Sequence, residues 1–106
     1  MGTVIGILDS GLGGLTVARK LDMMLPNADI LYIGDTARFP YGGRSIDMVA
    51  GHVEQGLDFL QEKGADLIVL ACVTGSAAWL AGGGQEKGVT VVDAVTATVD
   101  RLMALK

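Results

Sequence analysis

The stretch Thr3-Val-Ile-Gly-Ile-Leu8, followed by Asp9-Ser10-Gly11-Leu12-Gly13-Gly14, decides the fold. Its first half is a short, continuous apolar run, which predicts a strand covered on both faces, as in a parallel sheet. Its glycines predict a tight turn that leads into a helix. Three more apolar runs of the same kind follow, at residues 30–33, 67–71 and 89–92.

Segments with helical spacing separate these runs. The second segment begins at a cap-like Ser45 and ends at Lys63-Gly64, and the third is a short stretch, 76–81, closed by three glycines. Three segments carry apolar residues at helical spacing. In the first, second and last segment, these are Leu15, Ala18, Leu21 and Leu25; Met48, Val49, Val53, Leu57 and Leu60; and Val95, Val99, Leu102 and Met103, respectively. The order β-α-β-α-β-α-β-α predicts one flavodoxin-like α/β domain over residues 1–106, an open, doubly wound, four-stranded parallel sheet. Trp79 and the five methionines are expected in its core.

Composition excludes several classes of function. The chain has 106 residues, half of them apolar, and a net charge of −4, which argues against a nucleic-acid partner. One cysteine and one histidine supply neither a disulfide nor a multi-cysteine metal site. No apolar run is long enough for a membrane span, and no signal peptide is recognisable at the start. We expect a soluble, cytoplasmic protein.

Open α/β sheets bind ligands beyond the carboxyl ends of their strands, so the segments after each strand are the candidate site. After the first run, Asp9 and Ser10 precede glycines whose backbone N–H groups could bind an anion at a helix start. The spacing is neither a dinucleotide fingerprint nor a P-loop. Asp9 or Ser10 could simply cap the helix, or Asp9 could pair with an ammonium group or carry a proton.

The segment 34–44 after the second run is a long loop of aromatic and charged residues. Such loops are often functional, although Arg38 and Arg44 could equally lie on a solvated connection. His52 lies inside the second helix, away from every strand end, and is interpreted as a helix residue rather than a catalytic base.

Cys72 follows the third run and opens a helix. A helix N-terminus favours a thiolate, but a lone cysteine beside a core strand is commonly a small buried hydrophobe. Because Asp9 and Cys72 both end strands that this fold places near each other, we predict that they face one cleft. A carboxylate and a thiol in one anion-binding cleft would suit proton transfer.

Three stretches together resemble the glutamate racemase family of the aspartate/glutamate racemase superfamily. They are Ile5-Gly-Ile-Leu-Asp-Ser-Gly-Leu-Gly-Gly-Leu-Thr-Val17, Tyr32-Ile-Gly-Asp-Thr-Ala-Arg-Phe-Pro-Tyr-Gly42 and Leu70-Ala-Cys-Val-Thr-Gly-Ser-Ala78. The resemblance implies an isomerase without a cofactor that interconverts L- and D-glutamate and supplies D-glutamate for peptidoglycan. It implies that Cys72 handles the α-proton with help from Asp9. It also implies a substrate site lined by Ser10, Tyr41, Gly42, Val73 and Thr74.

The resemblance further implies two similar domains, the second of which carries an opposed cysteine. The present sequence has one cysteine, and Val73 and Gly75 stand where the family usually has Asn and Ala. We therefore predict the N-terminal half of a two-domain racemase, with glutamate, or aspartate, as its small-molecule partner. Three alternatives remain. The chain could be a short enzyme that acts on one face of its substrate only, as a decarboxylase does. It could also be an inactive dicarboxylate-binding module, or a homodimer that pairs two copies of Cys72.

Overall fold

The computed structural model describes residues 2–86 and 88–106, in which strands and helices alternate as predicted. The strands are β1 (Val4–Asp9), β2 (Asp29–Gly34), β3 (Leu67–Leu70) and β4 (Thr90–Asp93). The helices are α1 (Leu15–Met24), α2 (Ile46–Glu62), α3 (Val73–Ala81) and α4 (Ala94–Ala104). The α/β fold predicted from the sequence is confirmed, with most boundaries shifted by one or two residues.

All strand pairs are parallel, in the order β2-β1-β3-β4. The two central strands are β1 and β3, and Ile5 of β1 lies opposite Leu67 of β3. On the other side of β1, Asp9 lies opposite Gly34 at the end of β2. The order places the ends of β1 and β3 side by side, so the loops that follow them meet at one edge of the sheet.

The core lies between one face of the sheet and the helices α2 and α3. Helix α2 buries Val49, Val53, Leu57 and Leu60 at the predicted helical spacing, and its N-terminus is capped by Ser45, whose hydroxyl accepts from the Met48 N–H. Helix α3 buries Trp79 against the same cluster, as predicted.

The opposite face of the sheet is covered less completely. Neither α1 nor α4 contains a buried residue, although both carry apolar residues at helical spacing. An open groove of about 230 Å³ lies between these helices, over Val69 and Val92. Apolar residues of both helices remain exposed as a result: Leu15, Met23, Met24, Val99, Leu102 and Met103.

The expectation that the methionines lie in the core is therefore wrong for those that the structure describes. Met23, Met24 and Met103 are on the two helices that bury nothing, and Met48 lies on the solvent side of α2, one residue before the buried Val49. Met1 is outside the described residues. Apolar spacing identified the helices correctly, but it did not reveal that α1 and α4 would cover their sheet face only in part.

Candidate functional site

Cys72 lies immediately after β3 and forms the N-cap of α3. Its Sγ accepts a hydrogen bond of 3.3 Å from the Gly75 N–H, in the first turn of the helix. This helix starts three residues earlier than predicted, so that the cysteine is the cap itself. The side chain is only partly buried, and its sulfur lies at the N-terminal end of the helix.

The Cys72 thiol also contacts the loop after β1. Its Sγ lies 3.5 Å from the Ser10 hydroxyl, to which it donates. The pairing of β1 with β3 continues up to this point, because the Ala71 N–H donates to the Leu8 carbonyl at 2.9 Å. Two of the residues implied by the resemblance are thus in direct contact, although 62 positions separate them in the chain.

Asp9 is buried, with 7% of its surface exposed. Its Oδ2 accepts hydrogen bonds from the Gly14 N–H at 2.7 Å and from the Tyr32 hydroxyl at 3.3 Å. The first of these bonds ties the carboxylate to Gly14, which is the N-cap of α1 in place of the Asp9 or Ser10 considered from the sequence. Both bonds join Asp9 to residues around β1 and β2. The contact between the loop after β1 and Cys72 is made by Ser10.

Tyr32 is a site residue that sequence reasoning missed. Its hydroxyl is shared between Asp9 and the Gly11 carbonyl, which lies 2.9 Å away. Burial, followed by the negative charge of Asp9, raises the pKa of Tyr32 to about 12. The available signal was its place in the second apolar run, two residues before the end of a strand that neighbours β1.

The loop from Asp35 to Arg44 contains one turn of 3₁₀ helix, Thr36–Arg38. Tyr41 is almost fully buried, and its hydroxyl donates to Asp35 Oδ2 at 2.5 Å. Burial, followed by this hydrogen bond, raises the pKa of Tyr41 above its usual value. Gly42, the next residue, is exposed, and an added Cβ there would meet no atom within 4 Å.

Asp35 is the centre of this loop. Arg38 Nε donates to both of its carboxylate oxygens, at 3.1 and 2.9 Å, and Nη2 lies 2.8 Å from Oδ2. Burial acts to raise the pKa of Asp35, but the bonds from Arg38 and Tyr41 together with the Arg38 charge hold it below its usual value. Arg38 is therefore part of an internal network, whereas Arg44 is exposed, as the solvated alternative expected.

Val73 and Thr74 form the first turn of α3, next to Cys72, and both are exposed. Val73 exposes 64% of its surface. Its position beside the thiol makes it accessible to any ligand that reaches Cys72.

Two absences among residues 2–86 and 88–106 bear on the site. No group of three or more His, Cys, Asp or Glu side chains could hold a metal ion there. Within the same part of the chain, no helix is both long and apolar enough to cross a membrane.

No protein-family model matches the chain. Glutamate racemase from Leifsonia xyli is 46% identical over 100 residues, a match that covers 94% of this chain and 37% of that protein. Among solved structures, glutamate racemase from Aquifex pyrophilus has a TM-score of 0.81 at 45% identity, over 86% of this chain and 36% of that one. Glutamate racemase from Francisella tularensis, solved in complex with D-glutamate, has a TM-score of 0.82 at 37% identity, over 93% of this chain and 38% of that one.

The chain shares the α/β fold of these glutamate racemase structures over the part that it matches. The chain is a homologue of the glutamate racemases, and it spans a little over a third of the length of the relatives that it matches.

Proposed function

We propose that this domain supplies one half of a cofactor-independent glutamate racemase site, in which Cys72 moves the α-proton on one face of the substrate. The observation that carries the proposal is the position of the sulfur. It accepts from the Gly75 N–H at the start of α3 and contacts Ser10 on the neighbouring strand end. A partly buried thiol in this position can be reached from the edge of the sheet.

The surrounding groups suit the reaction. The α-proton of an amino acid is a weak acid, so the site must stabilise the negative charge that develops on the substrate carboxylate as the proton leaves. Backbone N–H groups at the start of α3, with the exposed backbone at Gly42, can bind carboxylates at this edge, whereas the N–H groups of Gly14, Leu15 and Thr16 at the start of α1 already donate within the protein. We assign substrate binding to Ser10, Tyr41, Gly42, Val73 and Thr74, and assistance of Cys72 to Asp9.

Inversion of configuration needs a second proton carrier on the opposite face of the substrate. The sequence has one cysteine and one histidine, and the histidine, His52, is bonded to Arg38. The second carrier is therefore proposed to come from a second domain of a protein as long as the relatives, or from another copy of this chain. In such an assembly the D-glutamate formed would serve peptidoglycan synthesis in the bacterial cytoplasm.

A second candidate function, proton exchange on one face of the substrate only, is favoured by the single thiol and by the apolar Val73. A domain with one proton carrier can exchange the α-proton with solvent on one face and return it with retention. If it moves no proton, the same site is a binding module for an amino acid or dicarboxylate.

The test is incubation of the purified domain with L-glutamate in D2O, in which α-deuteration and chirality are followed together. Cys72→Ser is the matched control, because a hydroxyl still accepts from the Gly75 N–H but is a much weaker acid than a thiol. Deuteration with inversion, lost in Cys72→Ser, would support racemisation between two copies. Deuteration with retention would support the one-face enzyme.

Two other outcomes separate the remaining possibilities. Glutamate-dependent shifts in the NMR spectrum without deuteration would support the binding module and contradict proton transfer by the isolated domain. If glutamate causes no shifts and no deuteration occurs, the proposed function is contradicted for this domain.

A further inference from the structure

Arg38 joins the loop after β2 to the body of helix α2. Its Nη1 lies 2.7 Å from His52 Nδ1 and 2.7 Å from Gln55 Oε1, one helical turn further along α2. Its Nε and Nη2 are bonded to Asp35 at the same time. The guanidinium thus bridges the start of the loop and the middle of a helix that is packed into the core.

The chemistry of the bridge defines the role of each partner. A guanidinium has only donors, so His52 Nδ1 must accept, which requires a neutral ring with its proton on Nε2. Asp35 accepts from Arg38 and also from the Tyr41 hydroxyl. A continuous path of hydrogen bonds therefore runs from His52 through Arg38 and Asp35 to Tyr41.

The two ends of this path, Tyr41 and His52, are also in contact through their rings. The ring centroids of Tyr41 and His52 are 5.7 Å apart, with an angle of 38° between the ring planes. His52 therefore meets the loop twice, once at Arg38 by hydrogen bonding and once at Tyr41 by packing. The loop between and beyond these points is exposed at Phe39, Gly42 and Gly43.

We propose that His52 is a positioning residue, which through Arg38 and Asp35 holds the loop of residues 35–44, with Tyr41 buried beneath it, so that the exposed Gly42 faces a ligand at the edge of the sheet. The ligand part of this inference rests on the proposed function, whereas the loop part stands on the contacts alone. His52 is not a catalytic residue, since it acts on the loop through Arg38.

The test compares two substitutions at one position. His52→Phe keeps a ring against Tyr41 but removes the acceptor, whereas His52→Asn places an amide oxygen close to the position of Nδ1. Glu62→Gln, at the far end of α2, is the control for changes to the helix. Arg38→Lys is a second way to break the bridge if His52→Phe does not fold, because an ammonium group cannot bond Asp35 and His52 in the same fork geometry.

The first readout is hydrogen exchange of the loop amides of Arg38, Phe39 and Arg44, each of which donates within the loop. We expect exchange about tenfold faster in His52→Phe, equivalent to the free energy of one hydrogen bond, and protection restored in His52→Asn. The second readout is the Kd for glutamate, which is expected to weaken about tenfold in His52→Phe and to recover in His52→Asn.

Unchanged loop exchange in both His52→Phe and Arg38→Lys would overturn the inference. Equal acceleration in His52→Phe and His52→Asn would also overturn it, because packing rather than the acceptor would then hold the loop. If the wild-type domain does not bind glutamate but the exchange pattern is as expected, the proposed function fails while the role of His52 in the loop is upheld.

Discussion

The Asp9 carboxylate accepts a hydrogen bond of 2.7 Å from the backbone N–H of Gly14, the N-cap of helix α1. This bond closes the glycine-rich turn after β1 and brings Gly14 against the side chain of Tyr32. The same carboxylate thereby holds the N-cap residue of a helix and accepts a hydrogen bond from the partly buried Tyr32 phenol.

The close approach at Gly14 predicts a large difference between neighbouring glycines. A Cβ at Gly14 would lie 3.0 Å from Asp9 Cβ and 3.0 Å from the Tyr32 hydroxyl, whereas a Cβ at Gly13 would meet Asp9 Oδ2 only at 3.8 Å. We expect Gly14→Ala to lower the free energy of unfolding by about 1–3 kcal/mol, and Gly13→Ala to change it by less than about 0.5 kcal/mol. Urea denaturation checks both, and equal effects would contradict this account of the turn.

Two glycines of helix α2 are expected to respond in opposite directions to the same substitution. A Cβ at Gly56 would lie 2.6 Å from a Leu8 methyl carbon, because the helix crosses β1 closely at this point. A Cβ at Gly51 would meet nothing within 4 Å. Gly51→Ala should stabilise the domain by about 0.5–1 kcal/mol, and Gly56→Ala should destabilise it by about 1–3 kcal/mol, as measured by thermal unfolding. A stabilising Gly56→Ala would show that Leu8 can move away freely.

Both tyrosines of the chain should ionise at a higher pH in the folded protein than in the unfolded chain. The pKa of Tyr32 is raised to about 12, and that of Tyr41 is raised as well. Because these folded-state values exceed the unfolded value of about 10, their contribution to stability is complete below about pH 10 and is lost as the pH rises through about 12. The ultraviolet absorbance of tyrosinate should therefore stay flat near pH 10 while circular dichroism remains native, and Tyr32→Phe should remove the step near 12. Tyrosinate formed near pH 10 in the native protein would contradict this prediction.

Asp35 should make the domain more stable at neutral than at acid pH. Its folded pKa is lowered, so its contribution is complete above the unfolded value of about 3.9 and is lost as the pH falls through the lower folded value. We expect the difference in unfolding free energy between wild type and Asp35→Asn to shrink between about pH 5 and about pH 3. Asp58→Asn, on the exposed side of α2, reports the effect of the change in net charge alone. A difference that stays constant over this range would argue against the bonds to Asp35.

Val73 offers a test of the binding site itself. It is exposed beside Cys72, so that Val73→Asn should leave the fold intact while adding an amide where the family usually has one. We expect the affinity for glutamate to rise about five- to tenfold, as one added hydrogen bond would provide, and not to rise in Val73→Ala. Calorimetric titration measures both, and equal affinities for the Asn and Ala variants would remove position 73 from the site.

Local patterns were sufficient to predict the alternation of strands and helices, because continuous apolar runs and helical spacing each depend on residues close together in the chain. The position of Cys72 at the start of a helix could be predicted in the same way, because it depends on the residues next to it in the chain. The three motifs predicted the relationship to glutamate racemases for a similar reason, since each is a short stretch of consecutive residues at one strand end.

The partners across the fold depended on the tertiary structure. Asp9 is joined to Tyr32, 23 positions away, and Arg38 to His52, 14 positions away, because the register of β2 beside β1 and the packing of α2 bring their backbones together. No pattern in the chain specifies such a pair. The partly covered face under α1 and α4 has the same origin. Apolar spacing shows which side of a helix could be buried, but only packing decides how much of that side is covered.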